Sequence, residues 1–278
     1  MAHTWPRDAK CVVNITVDFD GPCIEIRDKV GLYGKHSHGR YSAKRGVPRL
    51  LDIVKKHDIR VTFYVPGYDA EQHPEVVKAI ADAGHEIAAH SYLHERWDLG
   101  AEEPSLLRKT HKILTDIVGK PPIGWRCAGG LGKSNQTIKL LRELGYIYDS
   151  SEKCTDWPFF PSIDGEEVRD FINLPDNVSS LDDYPFYWLN RTPPSEVLQQ
   201  WKDEFHSIYA EGGYYDLILH ARNGFGSGTP TRAKVLDDLI SFMKSYPNVL
   251  FQTQEETARW CLSNPTAWPA RRNPRAQK

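Results

Sequence analysis

The feature that most restricts the fold is an alternation of short β-branched runs with longer stretches of helical periodicity, sustained from Cys11 to Leu262. Cys11 to Phe19 (CVVNITVDF), Arg60–Val65 (RVTFYV), Glu86–His90, Ile123–Cys127, Tyr146–Tyr148, Tyr215–His220 and Val249–Phe251 read as strands. Between them, Val47, Leu50, Leu51 and Val54 mark one helix face. Pro74 opens a second helix with Gly84 just past its end, and Pro104 opens a third that stops at Gly119. Further helices are expected from a Ser134 or Asn135 cap to Leu144, and over 195–210, 231–245 and 254–262. Strands separated by helices pair in parallel. About seven such repeats with no reversal favour an α/β fold closed into a distorted (β/α) barrel over an open sheet. No repeat or linker divides the chain, so residues 1–278 are expected to form a single catalytic domain. Two stretches break the rhythm, 21–41 and 150–193. They read as long loops, the second with only short strand-like pieces such as Val168–Ile172.

Composition excludes several classes. A net charge of −2 gives no basic face for nucleic acid. No apolar run approaches the roughly 20 residues of a membrane span. The five cysteines form no Cys-x-x-Cys pair, which fits reduced thiols, and the first residues lack the pattern of a signal peptide. A cytoplasmic protein is expected.

Polar residues recur where strands end. In α/β folds catalytic groups gather beyond the carboxyl ends of the strands. Here the ends carry Asp18-Phe19-Asp20, His90 followed by His94, Trp125-Arg126, Tyr148-Asp149 and His220. One such residue is most often a solvated strand end, whereas five at one rim point to a site. At period two Asp18 and Asp20 face the same side, and two close carboxylates repel unless a cation intervenes. Asp20, His90 and His94 form an Asp-His-His set that leaves room for water around a catalytic metal, and Asp18 is free to take a proton from that water.

The segments Val17-Asp18-Phe19-Asp20-Gly21, Gly84-His85-Glu86-Ile87, His90-Ser91-x-x-His94, Gly124-Trp125-Arg126, Leu144 to Ser151 and Leu219-His220 together resemble the polysaccharide deacetylase superfamily, carbohydrate esterase family 4. The resemblance runs from about Asp18 to Arg259. It implies a barrel and metal-dependent amide hydrolysis, with Asp20, His90 and His94 as ligands of a divalent metal, expected to be Zn2+. It further implies Asp18 as base, Arg126 as its orienting partner and His220 as general acid. Three departures stand out. Asp-Phe-Asp replaces the usual adjacent pair; Arg126-Cys127-Ala128-Gly129-Gly130 replaces Arg-x-Pro-x-Gly; and a Gly-rich run, Gly226 to Arg232, follows His220. The first and third resemble the branch holding allantoinase-like proteins, cyclic imide hydrolases and some intracellular peptidoglycan deacetylases.

The expected substrate is a small amide, with cyclic imides and ureides leading. Trp97, Gly129, Asp156 and Trp157, with Phe159, are candidates to shape its pocket, and core packing is the rival account of the aromatics. N-deacetylation of an amino sugar in peptidoglycan or chitin is the alternative. A metal-free binding protein would be expected to lack a ligand, and all three are present. Cys127 as nucleophile with His220 as base is a weaker rival, because a buried free cysteine usually serves as a small hydrophobe. Self-association into a homo-oligomer fits the branch.

Overall fold

The computed structural model describes residues 5–95, 99–130, 134–176 and 180–268. Its centre is strand β1, Cys11–Asp18, in which every residue is buried. Its β-branched residues Val12, Val13, Ile15, Thr16 and Val17 suit a strand covered on both faces. The other strands are β2 (Thr62–Val65), β3 (Glu86–Ala89), β4 (Gly124–Trp125), β5 (Tyr148–Asp149), the small hairpin β6 (Ser162–Ile163) and β7 (Glu166–Glu167), β8 (Ile172–Asn173), β9 (Tyr214–His220) and β10 (Val249–Gln252). The order β10-β1-β2-β3-β4-β5-β8, with β9 also on β1, makes one all-parallel sheet. β9 pairs along nearly all of β1, from Val12 with Tyr214 to Asp18 with His220. β10 takes the first half of β1 and β2 the second. Between β8 and β9 the wall is completed by irregular chain, where the Ile218 N–H donates to the Leu181 carbonyl at 2.8 Å. The result is the distorted α/β barrel expected from the alternation.

Strand periodicity divides the barrel into two faces. Val13, Ile15, Val17, Phe63, Ile87, Leu217 and Leu219 pack outward in the larger apolar core, where Val47, Leu50 and Val54 of the helix Val47–Lys56 join them. Val12, Tyr64, Ala88, Tyr148, Ile172 and Tyr214 belong to a second, inner cluster. The same alternation turns Thr16 and Asp18 of β1, and Asp216 and His220 of β9, inward. The inner face is unusually polar: Glu86 accepts from Thr62, Tyr148 and the backbone N–H of Glu255. Glu255 lies in the first turn of a helix at 254–263, a position that favours an anion.

The expected helices are present, including the Ser134 cap, whose hydroxyl accepts from the Thr137 N–H, and the left-handed Gly119 and Gly212 at two helix ends. The long loops are more ordered than the sequence implied. Residues 21–41 hold a short helix, Cys23–Arg27, and a tight turn at Gly34–His36. Pro66-Gly67 leads into a further helix, Gly67–Gln72, rather than simply closing β2. The strand-like piece at 168–172 is shifted, to Ile172–Asn173.

Candidate active site

The carboxyl ends of the strands converge on a cavity of about 880 Å3. Asp18, Asp20, His94, Arg126 and His220 line it, and His90 lies against them with Nε2 3.6 Å from Asp18 Oδ2, which brings together all six of the residues singled out for catalysis and metal binding. Asp20 sits just past β1 with a φ of +39°, a backbone turn that carries its side chain over the barrel mouth. Asp69, which the sequence reading missed, holds that turn. Its carboxylate accepts from the backbone N–H groups of Gly21 (2.7 Å) and Cys23 (3.1 Å). A Cβ on Gly21 would stand 2.5 Å from this carboxylate, so a side chain there would have to displace it.

Arg126 binds several inner-face groups at once. Nη1 donates to Thr16 Oγ1 and Asp18 Oδ1, both at 2.9 Å, and Nη2 to Ser150 Oγ at 3.0 Å and Asp216 Oδ2 at 3.3 Å. Its guanidinium lies 4.1 Å over the Tyr64 ring. Burial pushes the Asp18 carboxyl up, but Arg126 with His90 and His220 outweighs it and holds Asp18 below the usual carboxylate range. For Asp20 and Asp216 burial prevails. Asp20 is raised despite His220, His90 and Arg222, and Asp216 is pushed up to about 8 despite Arg126.

Both metal-site histidines are kept neutral, as a ligand must be. Burial lowers His90, and burial with the nearby Arg27 charge brings His94 down to about 4. His90 Nδ1 lies 3.0 Å from the Arg126 carbonyl, which fixes its N–H there and leaves Nε2 as the acceptor. His94 is held differently. Arg27 donates to its carbonyl, and Nη1 also lies 3.4 Å from Nδ1.

The donor set fits a divalent ion. His90 Nε2 and Asp20 Oδ1 are buried without a hydrogen-bond partner among the described residues. They stand 3.7 Å apart, and His94 Nε2 stands 3.6 Å from Asp20 Oδ2. These separations are too long for hydrogen bonds but suit donors around one ion with bonds of about 2.0–2.2 Å. Asp20, His90 and His94 offer atoms all within 4.8 Å of one another.

His220 closes the other side. Nε2 lies 3.8 Å from Asp18 Oδ2 and 3.9 Å from Asp20 Oδ2. Nδ1 lies 2.6 Å from Asp183 Oδ1. Burial opposes charge on this ring, but Asp183 and then Asp182 overcome it, and its pKa is pushed up to about 10. With both nitrogens facing carboxylates, His220 is not placed as a base for Cys127. That thiol lies 3.6 Å from the Ala128 carbonyl oxygen.

The pocket candidates divide. Gly129 lines the cavity, at a φ of +66° beside His94. Trp97 lies outside the described residues. Trp157 is not at the cavity: it stacks on Trp5, with ring centroids 5.9 Å apart, in the inner cluster. Asp156 opens instead on a second cavity of about 310 Å3. The reason is the direction of the chain after β5. Around Phe159 it runs antiparallel to β8, away from the rim. The aromatic wall comes from elsewhere. Tyr184, Trp188 and Phe225 line the cavity, Phe225 with its ring centroid 5.0 Å from that of His220.

The polysaccharide deacetylase family model matches residues 10–148, half of the chain. The chain belongs to that family. It is thus an amide hydrolase of the carbohydrate esterase 4 type, whose members use a divalent metal. A peptidoglycan deacetylase of Helicobacter pylori is 28% identical over 255 residues, covering 80% of this chain and 85% of its own. A Mycobacterium smegmatis structure assigned to the polysaccharide deacetylases superposes with a TM-score of 0.83 at 30% identity, covering 99% of this chain and 98% of its own. A solved allantoinase shares the fold, with a TM-score of 0.81 at 24% identity over 94% of this chain and 93% of its own. Among the described residues no helix of the chain is long and apolar enough to cross a membrane.

Proposed function

We propose that this protein hydrolyses a C–N bond in a small amide, most aptly a cyclic imide or ureide. The observation that carries the reading is the aromatic lining beside the reacting groups. Asp18, Asp20, His94, Arg126 and His220 line one cavity together with the 24–38 segment and with Tyr184, Trp188 and Phe225. Three aromatic rings next to the convergent polar groups suit stacking on one planar ring.

Asp20, His90 and His94 would hold the divalent ion, with zinc the ion best suited to this nitrogen and oxygen set. Once bound, the ion supplies Lewis acidity and a more acidic water. Asp18 takes the proton of the attacking water through Oδ2, since Oδ1 is committed to Arg126. Arg126 keeps Asp18 ionised and fixes its rotamer. His220, held protonated by Asp183, gives its proton to the departing nitrogen. A cytosolic place of action and self-association belong to the same proposal.

A second reading, N-deacetylation of amino sugars in peptidoglycan or a chitin-type polysaccharide, draws support from the identity with the Helicobacter pylori enzyme. The test is turnover of cyclic imides and ureides against N-acetylated oligosaccharides by metal-replete protein, repeated after chelation. Ring opening abolished by chelator supports the first reading, and deacetylation alone replaces it with the second.

A further inference from the structure

One wall of the cavity carries a buried ion pair that the catalytic scheme does not use. Glu25, on the short helix at 23–27, and Arg222, two residues beyond His220, are 6% and 3% exposed and both line the cavity. Arg222 Nη2 donates to Glu25 Oε1. That single contact leaves much unspent. Arg222 Nε and Nη1, and Glu25 Oε2, are buried with no hydrogen-bond partner among the described residues. An unpaired buried donor or acceptor carries its full desolvation cost, so the pair keeps hydrogen-bonding capacity for a polar group placed against it. The guanidinium is held from beyond, its Cζ 5.1 Å from the centroid of the Phe225 ring.

The pair presents donors and an acceptor side by side, with no net charge. An anion would be drawn to Arg222 and repelled by Glu25, and a cation the reverse, so a neutral group with both a carbonyl and an N–H meets it best. We propose that Arg222 and Glu25 together read an uncleaved –NH–C(=O)– edge of the substrate, Arg222 donating to the carbonyl and Glu25 Oε2 accepting from the N–H. This rests on the ring-hydrolase reading and narrows it to rings with a second amide edge, namely cyclic ureides and imides rather than simple lactams.

The experiment compares a five-membered cyclic ureide with the same ring methylated on the nitrogen remote from the cleaved bond. Metal-replete wild type is set against the double variant Glu25→Leu/Arg222→Met, which removes both charges together and leaves neither buried alone. Melting temperature and metal content serve as fold controls. The expected result is a preference of about 100-fold in kcat/KM for the unmethylated ring in the wild type. In the double variant that preference falls to near unity, mainly through a higher KM. A wild type that turns over both rings alike, or a variant that keeps the preference, overturns the clamp while leaving the ring-hydrolase reading intact. A wild type inert toward both rings but active on N-acetylglucosamine oligomers overturns that reading and the clamp with it.

Discussion

Asp183 grips His220 at two points: Oδ1 lies 2.6 Å from Nδ1, and Oδ2 accepts the backbone N–H of the same histidine at 3.0 Å. It also accepts the N–H of Ser227 at 2.7 Å, tying the strand end to the glycine-rich turn. The carboxylate thus sets both the orientation and the charge of the ring. The protonated form is the one that can give a proton to a leaving nitrogen. It is present below the folded pKa and lost as pH rises through about 10. Asp183→Asn keeps the shape and removes the charge, so the alkaline limb of kcat moves toward the ordinary histidine range and kcat falls about 100-fold. A pH–rate profile checks this; an unmoved limb removes His220 from the proton-donor role.

The metal site predicts opposite effects of one substitution in two states of the protein. Burial raises the Asp20 carboxyl, a cost that a bound cation offsets. Asp20→Asn removes that cost, so metal-free Asp20→Asn protein melts no lower than metal-free wild type. Wild type should bind one divalent ion per chain. At about 100-fold excess over Kd that ion adds about 2.7 kcal/mol of stability, which chelation reverses along with turnover. Asp20→Asn should respond to neither metal nor chelator. Melting curves with metal analysis decide it.

The glycine-rich run after His220 makes a packing prediction. An added Cβ would stand 2.1 Å from the Ala221 carbonyl oxygen at Gly228, and 2.3 Å from the His220 carbonyl oxygen at Gly226. The turn therefore wraps the backbone of the catalytic strand end closer than any side chain permits. Gly228→Ala should cost about 1–3 kcal/mol and lower kcat by displacing His220. Gly145→Ala, where the φ is +86° but nothing lies within 4 Å, should cost about 1 kcal/mol and leave kcat unchanged. Denaturant melts and kcat on the pair separate crowding from backbone strain.

The barrel was legible because β1 is rich in β-branched residues and because Asp18, His90, Arg126 and His220 end or follow regular strands, whose period and direction are local properties of the chain. The short loop helix at 23–27 and the partners of the site were not. Glu25 meets Arg222 across 197 residues and Asp183 meets His220 across 37, and Glu25 and Asp183 lie in long connections whose course is set by tertiary closure. Asp182-Asp183 was a visible acidic pair, but nothing local says which histidine it faces. The same gap misplaced Trp157. An aromatic in a loop reads alike whether it walls a cavity or stacks on Trp5.

Asp216 offers a prediction on stability. Arg126 contacts both Asp18 (2.9 Å) and Asp216 (3.3 Å), and one guanidinium does not neutralise two buried carboxylates. Asp18 is held low and Asp216 is pushed up to about 8, so Asp216 stays protonated at neutral pH while Gln254 donates to its Oδ2 at 3.0 Å. A carboxyl whose folded pKa is raised is bound to a proton in the native state over a range where the unfolded chain has released it. Its contribution is therefore most favourable below the ordinary aspartate pKa and declines as pH rises through about 8. Asp216→Asn cannot ionise, so the melting temperature of the variant relative to wild type should climb between about pH 4 and pH 8 and then level off. An activity loss of less than about tenfold should accompany it, against near-complete loss for Asp18→Asn. A relative melting temperature that instead stays flat from about pH 5 to pH 8 would mean that Asp216 is ionised in the native state and shares Arg126 with Asp18 as a second carboxylate.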